Sequence, residues 1–215
     1  MSSRPANVPT ELTWELTENH VSEPEAATSA RATARELGVA PLSRGTAAAL
    51  TFLAAAVRAK AVVEVGTGSG VSGLALFAGM QPDGVLTSVD IEPEHQAAAR
   101  ETFTSSGIAS QRFRLISGPA LSVLPKLRGD AYDLVFIDGD KAEYPAYLTE
   151  AVRLLQTGGV LAIDNTTWHN QAADKSVSDP DTEAIRETIA AVRDAHNLVD
   201  AHFSIGDGLL VAVKR

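Results

Sequence analysis

Two short acidic stretches concentrate this chain's oxygen donors: Asp138-Gly139-Asp140-Lys141 and, further on, Asp164-Asn165. Asp138, Asp164 and Asn165 together offer two carboxylates and a neutral amide oxygen. That donor set suits a hard divalent cation, Mg2+ first and Mn2+ or Ca2+ as alternatives, and leaves positions for water and substrate oxygens. Each acidic residue alone would read as a solvated turn or a helix cap; their coincidence at the ends of two apolar runs points to a shared site. Lys141 follows Asp138 by three residues and can hang over the same pocket. There a cation acidifies a bound hydroxyl and a lysine can take its proton. Asp138 and Lys141 are therefore the candidate catalytic residues. Trp168 and His169, just past Asn165, can wall a substrate site with Lys141, and His169 is a second candidate base.

A further constellation lies upstream in Val62-Val-Glu-Val-Gly-Thr-Gly-Ser-Gly-Val-Ser-Gly73. The valines suit a strand covered on both faces, and Gly66, Gly68 and Gly70 let the backbone turn sharply and approach a ligand. Gly68, Gly70 and Gly73 also fit the spacing of a dinucleotide fingerprint. Glu64 and the lack of a phosphate-binding cation after the turn favour a cationic cofactor, S-adenosylmethionine, instead. Asp90, about twenty residues on, closes the next apolar run where a carboxylate can accept both ribose hydroxyls. Ser117-Gly118-Pro119-Ala120 ends the run after that, with small residues that leave room for a flat adenine.

The elements that must position these groups follow from alternating apolar and turn-rich segments. Strands are expected at 61–65, 85–90, 113–117, 132–138 and 160–165, with helices over 71–80, 93–106, 120–127, 144–155 and 181–196. Gly158-Gly159 reads as the exit of the helix before the fifth strand. Such βα repetition implies a mostly parallel sheet with helices on both faces and ligands beyond the C-terminal strand ends. The runs at 199–205 and 209–213 are joined only by Gly206-Asp207-Gly208, a hairpin, so one strand must run antiparallel. Upstream, Ser22-Glu-Pro-Glu25 has capping-box spacing for a helix stopped at Gly38, and a second helix is expected over 43–58. Residues 1–19 read as a mobile tail leading into a docked segment, in which Trp14 packs on this subunit or on a partner.

At 215 residues, with 45% apolar and 21% charged residues, the chain is expected to build one sizeable core. No leader and no apolar run long enough to span a bilayer is read, so a cytoplasmic protein off the membrane is expected. The absence of cysteine removes disulfides and thiolate metal sites. A formal charge of −9 works against general nucleic-acid binding.

These motifs resemble the cation-dependent O-methyltransferase family that includes catechol and caffeoyl-CoA O-methyltransferases, over roughly Leu42 to the C-terminus. The segments that carry the resemblance are Val-Glu-Val-Gly-Thr-Gly-Ser-Gly at 63–70, Ser-Val-Asp-Ile-Glu at 88–92, Phe-Ile-Asp-Gly-Asp-Lys at 136–141, Ile-Asp-Asn-Thr-Thr-Trp at 163–168 and Ile-Gly-Asp-Gly-Leu-Leu at 205–210. The fold it implies is a Rossmann-like, doubly wound, mostly parallel α/β sheet of seven strands with one antiparallel strand near the C-terminus. Residues 20–215 would form a single methyltransferase domain, with a helical part at 20–59 and the core at 60–215. The resemblance implies metal ligation by Asp138, Asp164 and Asn165, catalysis by Lys141, ribose binding by Asp90, and cofactor contacts at Glu64, Gly66, Ser72 and Ala120. Thr67, Gly68, Ile91, Gly118, Pro119 and Asp138 complete the candidate cofactor set. It also implies a homodimer whose N-terminal segments help shape the substrate entrance. Residues 170–190 contain no tyrosine and few cations, and the acidic stretch 174–183 would repel a phosphorylated handle, which argues against a coenzyme A ester and for a small catechol-like acceptor. The rival readings are a nicotinamide-dependent reductase, disfavoured by the lack of a Tyr-x-x-x-Lys pair, and a cofactor-binding protein of the same fold without turnover.

Overall fold

The computed structural model describes residues 10–215. Eight helices and seven strands alternate along the described residues: α1 Glu11–Glu18, α2 Glu25–Glu36, α3 Arg44–Ala56, β1 Ala61–Val65, α4 Val71–Gly79, β2 Val85–Asp90, α5 Pro93–Ser105, β3 Phe113–Ser117, α6 Ala120–Val123, β4 Tyr132–Ile137, α7 Tyr144–Leu154, β5 Leu155–Ile163, α8 Pro180–Asp194, β6 Leu198–Phe203 and β7 Leu209–Lys214. The strands form one sheet in the order β3-β2-β1-β4-β5-β7-β6. The pairs from β3 through β5 are parallel, and β7 runs antiparallel to both its neighbours. Chain order reverses between β1 and β4, the switch point where a crevice opens in doubly wound sheets. This is the expected architecture, the fold of class I S-adenosylmethionine-dependent methyltransferases.

Side chains alternate across the sheet, so its two faces bury separate cores. Val62, Leu86, Leu134 and Ala162 pack with Leu50, Leu76 and Phe103 of α3, α4 and α5. Val63, Val135 and Leu161 meet Tyr144, Leu154, Ile185 and Val192 of α7 and α8 on the other face. Among the described residues no helix is long and apolar enough to cross a membrane.

Two expectations need correction, and the N-terminal one is made definite. The capping box at Ser22 does not form: Pro24 is the N-cap of α2 and no side chain caps it. Glu23 is held elsewhere, by Arg31 at 2.5 Å and Arg44 at 3.3 Å. Part of the expected tail is the helix α1, capped by Thr10 and anchored through one buried residue, Glu18; residues 1–9 of that tail lie outside the described residues. Finally, Gly158-Gly159 is not a helix exit. The pair lies within β5, where the register against β4 shifts between Tyr132 and Leu134, and a Cβ on Gly159 would stand 2.9 Å from the Tyr132 carbonyl oxygen. Glycine there accommodates a bulge.

Close helix packing depends on Gly79, where a Cβ would lie 2.1 Å from the Thr51 carbonyl oxygen of α3. Because that obstacle is backbone, Gly79→Ala must push α4 from α3. We expect a loss of about 2 kcal/mol of stability and a melting temperature lower by roughly 5 °C, read by calorimetry.

Candidate active site

At the C-terminal edge of the sheet the backbone ladder continues one residue beyond the strands. Gly66 donates to Val89 O at 2.9 Å, Asp138 to Val65 O at 2.8 Å, Asp164 to Ile137 O at 3.0 Å, and Gly118 to Asp90 O at 2.9 Å. Four of the residues singled out from sequence therefore stand side by side on one rim. Gly66 has φ +92°, and a Cβ on it would meet the Asp138 carbonyl oxygen at 2.0 Å. Only glycine lets the turn after β1 lie this close to the tip of β4.

A cleft of ≈ 310 Å³ opens on this rim, a volume suited to a small ligand. Its lining includes Gly66, Thr67, Gly68, Ser72 and Asp90 from the first two strand ends. Ile91, Gly118, Pro119, Ala120 and Asp138 complete the floor and far wall. One oxygen of Asp90 accepts the Thr67 and Gly68 amides at 2.9 and 3.0 Å, so the glycine turn fixes this carboxylate. The other accepts the Glu92 amide at 2.9 Å and lies 3.2 Å from His95 Nδ1.

Glu64 sits behind the cleft, fully buried, at the end of a polar chain. Gln96 Nε2 donates to Thr67 Oγ1 at 2.9 Å, Thr67 and Ser88 share a hydrogen bond of 2.6 Å, and Ser88 donates to Glu64 Oε2 at 2.5 Å. Glu64 Oε1 is buried without a hydrogen-bond partner. Burial pushes the Glu64 carboxyl up to about 7; the Ser72 and Ser88 hydroxyls pull the other way, and the charges of Asp138 and Asp90 add to the rise.

Asp138 and Asp164 extend the register pair Ile137 and Ile163 of β4 and β5, so they occupy adjoining tips on neighbouring strands. Burial, and then the nearby Asp138 charge, raise the Asp164 carboxyl to about 8, against the Asn165 amide and Lys141 acting downward. Asn165 has left the strand with φ +56°. The backbone has thus turned where Asp164 and Asn165 would otherwise face opposite ways. Among the described residues no three histidine, aspartate or glutamate side chains gather as a metal-binding cluster; the donors at the tips are two carboxylates and an amide.

Lys141 Nζ lies 3.0 Å from Asp138 Oδ1 and from Gly139 O. It stands 5.2 Å from the Tyr144 ring centre and 5.7 Å from that of Trp168. The lysine thus joins the β4 tip to the segment after β5. His169 is different: it is 73% exposed, stacks on Trp168, and has Nδ1 3.3 Å from Asp207. Tyr144 is buried and donates to Asp164 O at 3.1 Å. Tyr147 is also buried, yet it reaches the cofactor cleft as well as packing α7.

Several groups here escaped the sequence reading. Val39, Pro41 and Leu42, in the link between α2 and α3, roof the cleft, and Ser69 ties the glycine turn to Ala30 O of α2 at 2.8 Å. His95 and Gln96 lie one turn into α5, a position that the Asp-x-x-Pro start of that helix could have flagged. Thr46, fully buried, donates to Asp164 Oδ1 at 3.5 Å; nothing local in the sequence announces a contact between residues so far apart.

The rim, the glycine turn and the fold define a class I methyltransferase architecture. The chain belongs to the O-methyltransferase family, whose model matches residues 19–215. A protein of Mycobacterium sp. (strain JLS) assigned as an O-methyltransferase is 44% identical over 197 residues, 92% of this chain and 90% of that protein. A crystal structure from Corynebacterium glutamicum superposes with a TM-score of 0.87 at 29% identity, covering 94% of this chain and 95% of the other. The O-methyltransferase TomG from Streptomyces achromogenes, crystallised with SAM, shares the fold with a TM-score of 0.86 at 23% identity over 96% and 99% of the two chains.

The buried Glu64 carboxyl makes stability pH-dependent. Its folded-state value, about 7, lies above the ordinary 4.5, so the stabilisation is complete below pH 4.5 and is lost as pH rises through 7. Glu64→Gln should therefore gain on the parent across that interval by roughly 3 kcal/mol, measured by urea unfolding at several pH values. A difference between the two proteins that does not change with pH would contradict this.

Proposed function

We propose that the protein transfers the methyl group of S-adenosylmethionine to one hydroxyl of a small vicinal diol on an aromatic ring, with a divalent cation, Mg2+ first, at the β4 and β5 tips. The observation that carries the reading is the continuity of one rim: Asp138 lines the cofactor cleft and also stands beside Asp164.

The residues fit both groups. The open cleft, the fixed Asp90 carboxylate and the unpartnered Glu64 oxygen suit a ligand with ribose hydroxyls and cationic groups. A sulfonium cofactor supplies the electrophilic methyl. Asp138, Asp164 and Asn165 would hold the cation, whose charge would offset the rise that burial, and then the Asp138 charge, impose on the Asp164 carboxyl. A divalent ion supplies Lewis acidity toward a diol hydroxyl.

The chain's own contribution is largely positional. Asp90, fixed by the Thr67 and Gly68 amides, orients the ribose end, and the link between α2 and α3 covers the cofactor. In this reading Lys141, as its neutral amine, takes the acceptor proton, and Asp138 holds the ammonium so formed. Trp168 offers an aromatic wall to a flat acceptor, with His169 at its outer margin. The acidic stretch 174–183 supports a neutral or cationic acceptor over a phosphorylated one. We further propose a homodimer, supported by the exposed Leu12, Trp14 and Leu16 of α1 and testable by sedimentation.

The direct test incubates the protein with radiolabelled S-adenosylmethionine and a panel of catechols, with Mg2+ or with chelator. Label should reach the diol only with the metal; equal transfer in chelator would overturn the cation role. Two variants should then separate the halves. Asp90→Ala should weaken S-adenosylhomocysteine binding roughly tenfold, by calorimetric titration. Asp164→Ala should leave that affinity within a factor of about two while lowering kcat by roughly 100-fold or more.

A further inference from the structure

The segment that follows Asn165 has an unusual backbone. Trp168, His169 and Asn170 have φ of +46°, +54° and +70°, three successive residues in the left-handed region without a glycine among them. Each such residue costs of order 1–3 kcal/mol and persists only where its surroundings over-determine it. Here the determining group is a side chain from the turn of the sheet's last hairpin, which lies beside the end of β5.

Asp207, in the turn between β6 and β7, accepts the Thr167 hydroxyl at 2.8 Å and the His169 amide at 2.8 and 3.0 Å on its two oxygens. Its carboxylate also lies 3.3 Å from His169 Nδ1. The backbone reinforces the seam, because Thr167 N donates to Asp207 O at 2.9 Å and Thr166 N to Gly208 O at 3.0 Å. Gly208 is required at that seam: a Cβ on it would meet Thr167 N at 2.6 Å. The hairpin turn is itself fixed from its far side. Glu18 of α1 accepts the Gly206 amide at 2.9 Å and the Gly45 amide at 2.7 Å. Asp207 therefore acts from a rigid base.

We infer that Asp207 is a positioning residue for the acceptor wall: its carboxylate holds the left-handed Trp168-His169-Asn170 turn, and so sets the indole of Trp168 beside Lys141. This rests on the reading of Trp168 as an acceptor wall. It assigns to the hairpin turn a role in acceptor recognition that leaves the cofactor cleft alone, since Asp207 is not among the residues lining that cleft. It also gives His169 a different task from that of a base, as the residue whose amide is gripped.

Trp14 and Trp168 are the 2 tryptophans of the chain, so W14F leaves Trp168 as a single fluorescent reporter. In that background, D207A should shift Trp168 emission to the red and raise its quenching by acrylamide about twofold. D207N, which retains one acceptor oxygen for the His169 amide, should fall between D207A and the parent. For methylation of catechol with Mg2+, D207A should raise the acceptor KM roughly tenfold while S-adenosylhomocysteine affinity stays within about twofold. Unchanged Trp168 fluorescence in D207A would overturn the inference, as would equal losses of cofactor and acceptor binding. If D207A does not fold by circular dichroism, D207N and T167V carry the same measurements. A W14F parent that methylates no diol counts against the proposed reaction, whereas the fluorescence of the Asp207 variants decides the positioning role by itself.

Discussion

Register between parallel strands is the constraint from which the site follows. β1, β2, β4 and β5 are paired so that their C-terminal ends fall level, and the ladder runs one residue past each end before the chains diverge. The first residue beyond a strand is still held by its neighbour's carbonyl yet free to face the crevice. Gly66, Asp138 and Asp164 all occupy that position. A slip of one residue in any of these pairings would send the following side chain to the opposite face of the sheet. The chemistry of the rim is in this sense a property of the buried apolar strands beneath it.

The same arrangement gathers negative charge. Glu64, Asp90, Asp138 and Asp164 stand on adjacent strand ends, the first and last driven toward protonation by burial. Lys141 is in ion-pair contact with Asp138, and His95 Nδ1 lies 3.2 Å from Asp90. Carboxylates held close without equal countercharge favour cationic ligands. The electrostatics therefore point the same way for both halves of the proposed reaction, a sulfonium on one side and a metal ion on the other.

How far the site was legible in the sequence depended on how local each part is. The glycine turn and Asp90 were readable because short-range backbone geometry dictates glycine and because apolar runs mark where strands end. The tips at Asp138 and Asp164 were readable for the second reason. The β5 start was misread because Gly158-Gly159 carries the same signal for a bulge as for a helix exit. Ser22 and Glu25 were misread as a capping box because their spacing is right, whereas Glu23 between them is bound by Arg31 of α2 and Arg44 of α3, contacts that arise only in the fold. Asp207 fell within a motif noted for its hairpin, but its grip on His169 spans a separation that no periodicity reveals.

This contrast divides the molecule by the kind of contact that sustains each half. The floor of the cofactor cleft is built from turns that follow directly on their own strands, tied by hydrogen bonds between neighbouring strands, with the α2–α3 link added over it. The proposed acceptor side is built from long-range contacts: α1 to the hairpin turn through Glu18, α3 to Asp164 through Thr46, and the hairpin turn to the strained segment after Asn165 through Asp207. Long-range contacts of this kind can be exchanged one at a time, because none of them carries the strand register. Substitutions in α1, the hairpin turn or the segment after Asn165 can therefore reshape the acceptor wall while the cofactor cleft keeps its geometry. For the reaction proposed, that separation would let acceptor choice change without rebuilding the rim.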